Sequence, residues 1–234
     1  MSLPSSHDEN SAPAFYATEL GGMAAEMIRR RLAVLWPDLT GQRVLGIGYP
    51  APFLPLWQGH AYACLNATSA QHAPRPAGTC AVEATRLPFP DLVFDRILVI
   101  HGVEPVSHDA KLLREMWRVL KDDGRIVVVA PNRTGIWAHL DSTPFGQGQP
   151  YSRGQLDRLL ASGMFRAERR ETALFGPPAR LRPMVRMMPV WEKIGHAVVP
   201  HLAGVTITEA VKDVYAALPV LAPGKRRVVF SKAA

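Results

Sequence analysis

Residues 83–132 constrain this chain more than any other stretch. They read EATRLPFPD, then FDRILVIHGVEPV, then LLREMWRVLKDDGRIVVVAPN. An acid is followed by a turn held by two prolines, then an apolar strand. An amphipathic helix with basic residues comes next, then a DDG turn and a second apolar strand. Strands that are apolar along their whole length, such as RIVVVA, are buried on both faces, as parallel sheets require. Strand, helix and strand in this order make half of an open, doubly wound α/β sheet.

The rest of the chain extends the same alternation. Residues 15–36 read as one helix, with Leu20, Met23, Ala24, Met27, Ile28, Leu32 and Leu35 on a single stripe and Pro37 as its stop. Strands are expected at residues 42–48, 60–65, 78–83, 94–100, 125–130, 165–175 and 204–212, with a helical turn at 68–72. Residues 49–55 hold too many prolines for an early helix. A helix at 108–120 closes on Asp123-Gly124, and Ser152 caps another that Gly163 ends. The organisation expected is a disordered lead-in at 1–14 and one domain at 15–234. That domain carries a helical insertion within 176–202 and a basic tail at 213–234. Right-handed crossovers place a ligand at the carboxyl ends of the parallel strands. The loops after Leu45, Leu65, Val82 and Ile100 should therefore surround one crevice.

Composition narrows the classes of function. No apolar run is long enough to span a bilayer, and the polar N-terminus lacks the apolar centre of a signal peptide, so a cytoplasmic protein is expected. Cys64 and Cys80 read as free buried thiols, and without CxxC or HExxH no metal site is expected. The formal net charge is +7. Such a balance suits nucleic acid, an acidic membrane surface or an anionic substrate. The arginines are spread along the chain and no aromatic-basic RNA motif appears, which argues against nucleic acid and for a solvated basic face.

Residues 83–132 also resemble, almost block for block, the second half of class I S-adenosylmethionine-dependent methyltransferases. The type is the small-molecule, UbiE-like one (methyltransferase type 11), and the likeness covers residues 43–165. The resemblance implies a Rossmann-like, mostly parallel seven-stranded sheet whose last strand is antiparallel, with S-adenosylmethionine as cofactor. By this resemblance the chain would be a divergent member. Where the family has an acid and three alternating glycines after the first strand, it has Gly46, Gly48, Pro50 and Pro52, with Tyr49 in the same loop. Asn66 stands where the family places a ribose-binding acid at the end of strand two. Glu83 and Ala84 match the adenine-proximal position. His101 falls at the crevice lip, where it would contact the cofactor or accept a proton from substrate. Glu104 follows it, with Pro105 in place of a family histidine, and Asp95 reads as structural.

The long segment at 132–150 would cover the substrate, with Asn132, Arg133, Trp137, His139, Asp141 and Tyr151 as lining candidates. Three readings follow. The first is a methyltransferase acting on a small molecule by in-line transfer, which needs alignment more than a conspicuous set of catalytic groups. The second is a catalytically inactive binding or regulatory module on the same fold. The third is a protein that binds RNA or another acidic partner. The apolar insertion fits a lid, a homodimer surface, a membrane-touching patch or simple packing on the sheet edge.

Overall fold

The computed structural model describes residues 11–69, 79–82, 86–102, 109–178 and 182–213. Seven strands make one sheet: β1 (Arg43–Gly48), β2 (Ala63–Ser69), β3 (Thr79–Val82), β4 (Phe94–Ile100), β5 (Leu120–Pro131), β6 (Phe165–Ala173) and β7 (Val205–Lys212). Their order across the sheet is β3-β2-β1-β4-β5-β7-β6. The pairs from β3 to β5 are parallel, and β7 runs antiparallel to both β5 and β6. This is the expected doubly wound, mostly parallel seven-stranded sheet.

Alternating side chains of the central strands feed two cores. Leu98, Ile100, Val127 and Val129 face one side, with Leu20, Ile28 and Leu32 of helix α2 (Glu19–Leu35). Ile97, Val99, Ile126 and Val128 face the other side. There they meet Leu113 and Met116 of α3 (Asp109–Val119) and Leu156 and Leu160 of α4 (Arg153–Ser162). Burial of one such aliphatic side chain contributes roughly 1.5–3 kcal/mol, so the two layers supply the main stabilising force.

Several boundaries differ from expectation, each for a local reason. The predicted helix at 15–36 is two helices, because Thr18 caps α2 by accepting from the Gly21 N–H at 3.0 Å. A short helix α1 (Ala12–Tyr16) precedes it and takes in part of the expected lead-in. Strand β2 begins at Ala63, not at 60, because His60 and Ala61 close a turn onto the Trp57 carbonyl. It runs on to Ser69, so Thr68 is strand and not a helical turn. The Asp123-Gly124 pair lies inside β5. Phe94 pairs with Leu120 and Arg96 with Arg125, so residues 121–124 bulge opposite Asp95.

Helix α4 carries the expected cap, a full capping box between Ser152 and Gln155. The insertion holds α5 (Arg182–Arg186) followed by α6 (Met188–Val198). Buried Glu209 in β7 accepts from Trp36 Nε1 at 2.8 Å and lies 3.4 Å from Arg125 and 3.7 Å from Arg169. That contact ties α2 to the sheet. The predicted tail lies outside the described residues except for Asp213.

Candidate functional site

The carboxyl ends of β1 and β4 meet where the strand order reverses, between β1 and β4. Gly48 ends β1 with φ +86°, a conformation that suits glycine. A Cβ there would sit 2.1 Å from the Ile100 carbonyl oxygen. Tyr49 then donates its N–H to that same oxygen at 2.8 Å. The two strand ends are thus knitted together, and the crevice edge lies at Gly48 and Ile100, beyond the predicted Leu45.

The loop after β1 folds back on itself. Pro50 accepts from the N–H groups of Phe53 at 2.8 Å and Leu54 at 3.1 Å, which leads into a 3₁₀ turn at Leu54–Leu56. Arg29 of α2 fixes the loop from outside, with Nε 2.7 Å from the Pro52 carbonyl oxygen. The Pro50 ring fills the space beside Gly46, where a Cβ would lie 2.4 Å from Pro50 Cγ. The bare face of Gly46 is therefore closed by the chain itself.

His101 follows β4 in the left-handed region, at φ +53°. Backbone strain of this kind in a non-glycine residue collects at functional sites. Its Nε2 lies 3.0 Å from the Tyr16 hydroxyl. Its ring lies 4.8 Å from that of Phe145 and 5.8 Å from that of Tyr16, and Tyr16 in turn stacks on Tyr49 at 5.8 Å. Phe53 meets the Tyr16 ring edge-on at 5.6 Å. Burial pushes the Tyr49 phenol above its ordinary pKa, so it stays protonated at neutral pH. The result is an aromatic lip on the crevice, assembled from α1, the β1 loop, the end of β4 and the segment after β5.

Sequence reasoning identified some of this lip and missed the rest. It named Gly48, Tyr49 and His101, and the structure brings them together. It missed Tyr16, Phe53 and Phe145, which lie far apart in the chain. The Phe15-Tyr16 pair ahead of the Thr18 cap was the available signal for the first. Asn66 does not stand at the end of β2. It is buried inside that strand, opposite Gly46 on β1 and Thr79 on β3. Glu83, Ala84, Glu104 and Pro105 lie outside the described residues.

Asp95 lies at the far end of the sheet, accepting from the Arg43 N–H at 2.8 Å and Lys121 Nζ at 2.6 Å, a structural role as expected. Asn132 is buried and donates to the carbonyls of His201 at 2.9 Å and Ala203 at 2.8 Å. Trp137 is buried with Nε1 bonded to the Gly176 carbonyl at 2.8 Å. Both hold the segment after β5 in place. His139 bonds the Arg133 carbonyl, and Tyr151 bridges to Asn132. Cys64 is a free, half-buried thiol whose pKa burial raises, while the Cys80 side chain lies outside the described residues.

A second constellation supports the connection that leads into β4. Arg118 of α3 donates to the Leu87 carbonyl at 3.0 Å, the Phe89 carbonyl at 2.8 Å and Glu115 at 2.8 Å. Glu115 accepts from the Leu87 N–H at 2.9 Å. The LPFPD turn is thus clamped onto α3. Among the described residues, no group of three or more His, Cys, Asp or Glu side chains is placed to hold a metal.

Comparison with known proteins agrees with this architecture. Residues 45–128 match the family model described as a methyltransferase domain. A ubiquinone/menaquinone biosynthesis C-methyltransferase, UbiE, of Bordetella avium is 41% identical over 58 residues, 25% of this chain and 22% of that protein. The alignable stretch thus spans under a quarter of that relative's length. A SAM-dependent methyltransferase structure from Thermotoga maritima superposes with a TM-score of 0.58 at 17% identity, over 82% of this chain and 91% of that one. The [4+2]-cyclase SpnF superposes with a TM-score of 0.54 at 19% identity, over 79% of this chain and 80% of that one. Residues 45–128 thus carry a methyltransferase domain, and the fold is the one seen in solved SAM-dependent methyltransferases. S-adenosylmethionine is the cofactor that this domain and fold imply.

Proposed function

We propose that this protein is an S-adenosylmethionine-dependent methyltransferase that acts on a small molecule. The observation that carries this reading is the aromatic lip of Tyr16, Tyr49 and His101, set at the carboxyl ends of β1 and β4 where the sheet order reverses. When bound, S-adenosylmethionine supplies a methyl group on a positively charged sulfur. Aromatic faces attract cations, so this lip suits such a group even though the family's acid at position 46 is absent. Gly48, Tyr49 and His101 would hold the cofactor, with Asn66, Glu83 and Ala84 proposed on the adenosine side and Gly46 kept as the loop's first position.

The Tyr16–His101 pair gives the crevice a place for a proton. Transfer of a methyl group to an O–H or N–H acceptor releases one. The Tyr16 hydroxyl and His101 Nε2 are within bonding distance and can pass or hold it. The relative from Bordetella avium is named for a small-molecule pathway, which favours a small acceptor here.

A second reading rests on the β1 loop. Pro50 closes the face of Gly46, and neither Pro50 nor Pro52 has a backbone N–H to offer a ligand. This favours a methyltransferase fold kept as a binding or regulatory module, and the likeness to a cyclase shows that the fold serves other ends. Calorimetric titration with S-adenosylmethionine and S-adenosylhomocysteine separates the readings. Micromolar binding, followed by transfer of labelled methyl to a component of a small-molecule extract, supports the first. No heat and no thermal stabilisation at millimolar ligand leaves the second.

Part of the basic charge outside the α5–α6 insertion is paired within the fold. Arg30, Arg31, Arg118, Arg125, Arg166 and Arg170 each stand in an ion pair with a carboxylate, so their charge is largely neutralised within the fold.

A further inference from the structure

Helix α6 divides into three sectors. Met188, Glu192 and Gly195 face inward and are buried. Glu192 Oε2 accepts from the Leu174 N–H at 3.0 Å and the Phe175 N–H at 3.1 Å, which pins the helix to the end of β6. Met187, Val190, Trp191, Ile194 and Val198 are all exposed, by 42% to 68%. At helical spacing they fall within an arc of about 100°. The third sector carries Lys193 and His196, both exposed.

The apolar exposure is concentrated here. Seven of the eleven large hydrophobic side chains exposed among the described residues lie between Met184 and Leu202. Charge is distributed just as unevenly. Between residues 172 and 208 the sequence has a single acid, Glu192, against Arg180, Arg182, Arg186 and Lys193. That acid is turned inward and spent on backbone N–H groups. The outward surface of α6 is therefore apolar and bordered by cations, with no carboxylate of its own.

We propose that the α5–α6 insertion docks on an anionic lipid bilayer surface. An interfacial helix buries an apolar face below the headgroups and keeps basic side chains level with lipid phosphates. Trp191 lies at the inner edge of this arc, beside Gly176, and still leaves 42% of its surface exposed. Charge complementarity selects this occupant, since the surface is cationic and an anionic bilayer is its counterpart. A second copy would bring the same cations against each other. One helix face, a patch on the order of a few hundred Å², also falls short of the ~800 Å² per partner that a stable dimer buries. No helix among the described residues is long and apolar enough to cross a membrane, so contact would be peripheral.

The test uses the full chain without cofactor, so its outcome is independent of the methyl-transfer reading. Co-sedimentation is measured with vesicles of phosphatidylcholine alone and with vesicles containing one-third phosphatidylglycerol, at low and high salt. Binding is expected to be at least five-fold stronger on the anionic vesicles and to weaken with salt. Ile194→Asp should reduce it at least ten-fold, and the double change Arg186→Glu with Lys193→Glu by a similar factor, with melting temperatures unchanged because these side chains are exposed. Three results would overturn the proposal. One is a wild-type protein that ignores anionic vesicles at low salt, and another is variants that bind as well as wild type. The third is a dimer in light scattering that Ile194→Asp dissociates.

Discussion

The Tyr16 hydroxyl stands 3.0 Å from His101 Nε2, across 85 residues of sequence. The contact fixes α1 over the end of β4 and turns the Tyr16 ring onto Tyr49. A cationic ligand and its neutral counterpart should feel this surface differently. S-adenosylmethionine carries a sulfonium and S-adenosylhomocysteine does not. Tyr16→Ala should weaken the first by about 3- to 30-fold and the second much less, as a cation–π contact of roughly 0.5–2 kcal/mol requires. Tyr16→Phe keeps the ring and should leave both within about two-fold. Parallel calorimetry on both ligands checks this, and equal losses for the two would remove the aromatic lip from cofactor recognition.

Pro50 is the structural cause of the closed Gly46 face. Pro50→Gly restores a backbone N–H and removes the ring. It should tighten S-adenosylmethionine by about 2- to 10-fold, the worth of one recovered hydrogen bond. The same change frees the unfolded chain and should cost about 0.4–1 kcal/mol of stability. Urea unfolding and calorimetry on the same sample measure both. Unchanged affinity would place the cofactor's methionine part elsewhere.

Glu209 holds Trp36 in the core. Glu209→Ala leaves the indole N–H buried without its acceptor and removes the partner of Arg125 and Arg169. The expected loss is about 2–4 kcal/mol. Glu209→Gln keeps an acceptor for Trp36 and should lose about half as much. A urea series reads the difference directly.

Two glutamates should give stability an opposite lean on pH. Burial holds the Glu192 carboxyl above its ordinary value of 4.5, outweighing the Phe175 N–H, Arg31 and the Leu174 N–H. The folded state therefore binds that proton more tightly than the unfolded chain, and stability falls as pH rises from 4.5 through the raised value. Glu192→Gln should flatten that slope. The Arg118 hydrogen bond, helped by the Leu87 N–H, holds Glu115 below 4.5. Its contribution is full above 4.5 and lost as pH falls through the lowered value, and Glu115→Gln should remove that acid-side decline. Unfolding midpoints taken at half-unit steps of pH resolve the two effects.

The legible parts of the sequence were those with local causes. Residues 94–100 are apolar enough to be a buried strand in any context, and β4 takes these bounds. Ser152 and Gln155 form their capping box within one turn, so α4 was readable at its start. The misread parts depended on partners distant in sequence or on competing turns. The segment 60–62 looks like strand, but the Trp57 carbonyl draws Ala61 into a turn and Tyr62 bonds the Gln42 carbonyl. The apolar stripe begins at Leu20, and the apolar pair Phe15-Tyr16 just ahead of it let residues 15–36 read as one helix, which hid the cap at Thr18. Asn132 and Trp137 looked like substrate contacts because polar and aromatic residues in a long loop suit that role. Only the fold shows their bonds to residues 176–203.

Strand β7 lies between β5 and β6, and among the described residues β6 has no other neighbour in the sheet. On a ribosome, β1 to β5 can therefore zip together as they emerge, whereas β6 must wait with its edge unpaired for a strand made some thirty residues later. The insertion with α5 and α6 is synthesised in that interval. Its apolar face is then exposed at the moment the nascent chain has an open strand edge, the combination most prone to self-association. Early capture of that face by a surface or a chaperone would shield both, so the order of synthesis makes the insertion a sensitive point in the protein's production as well as in its working state.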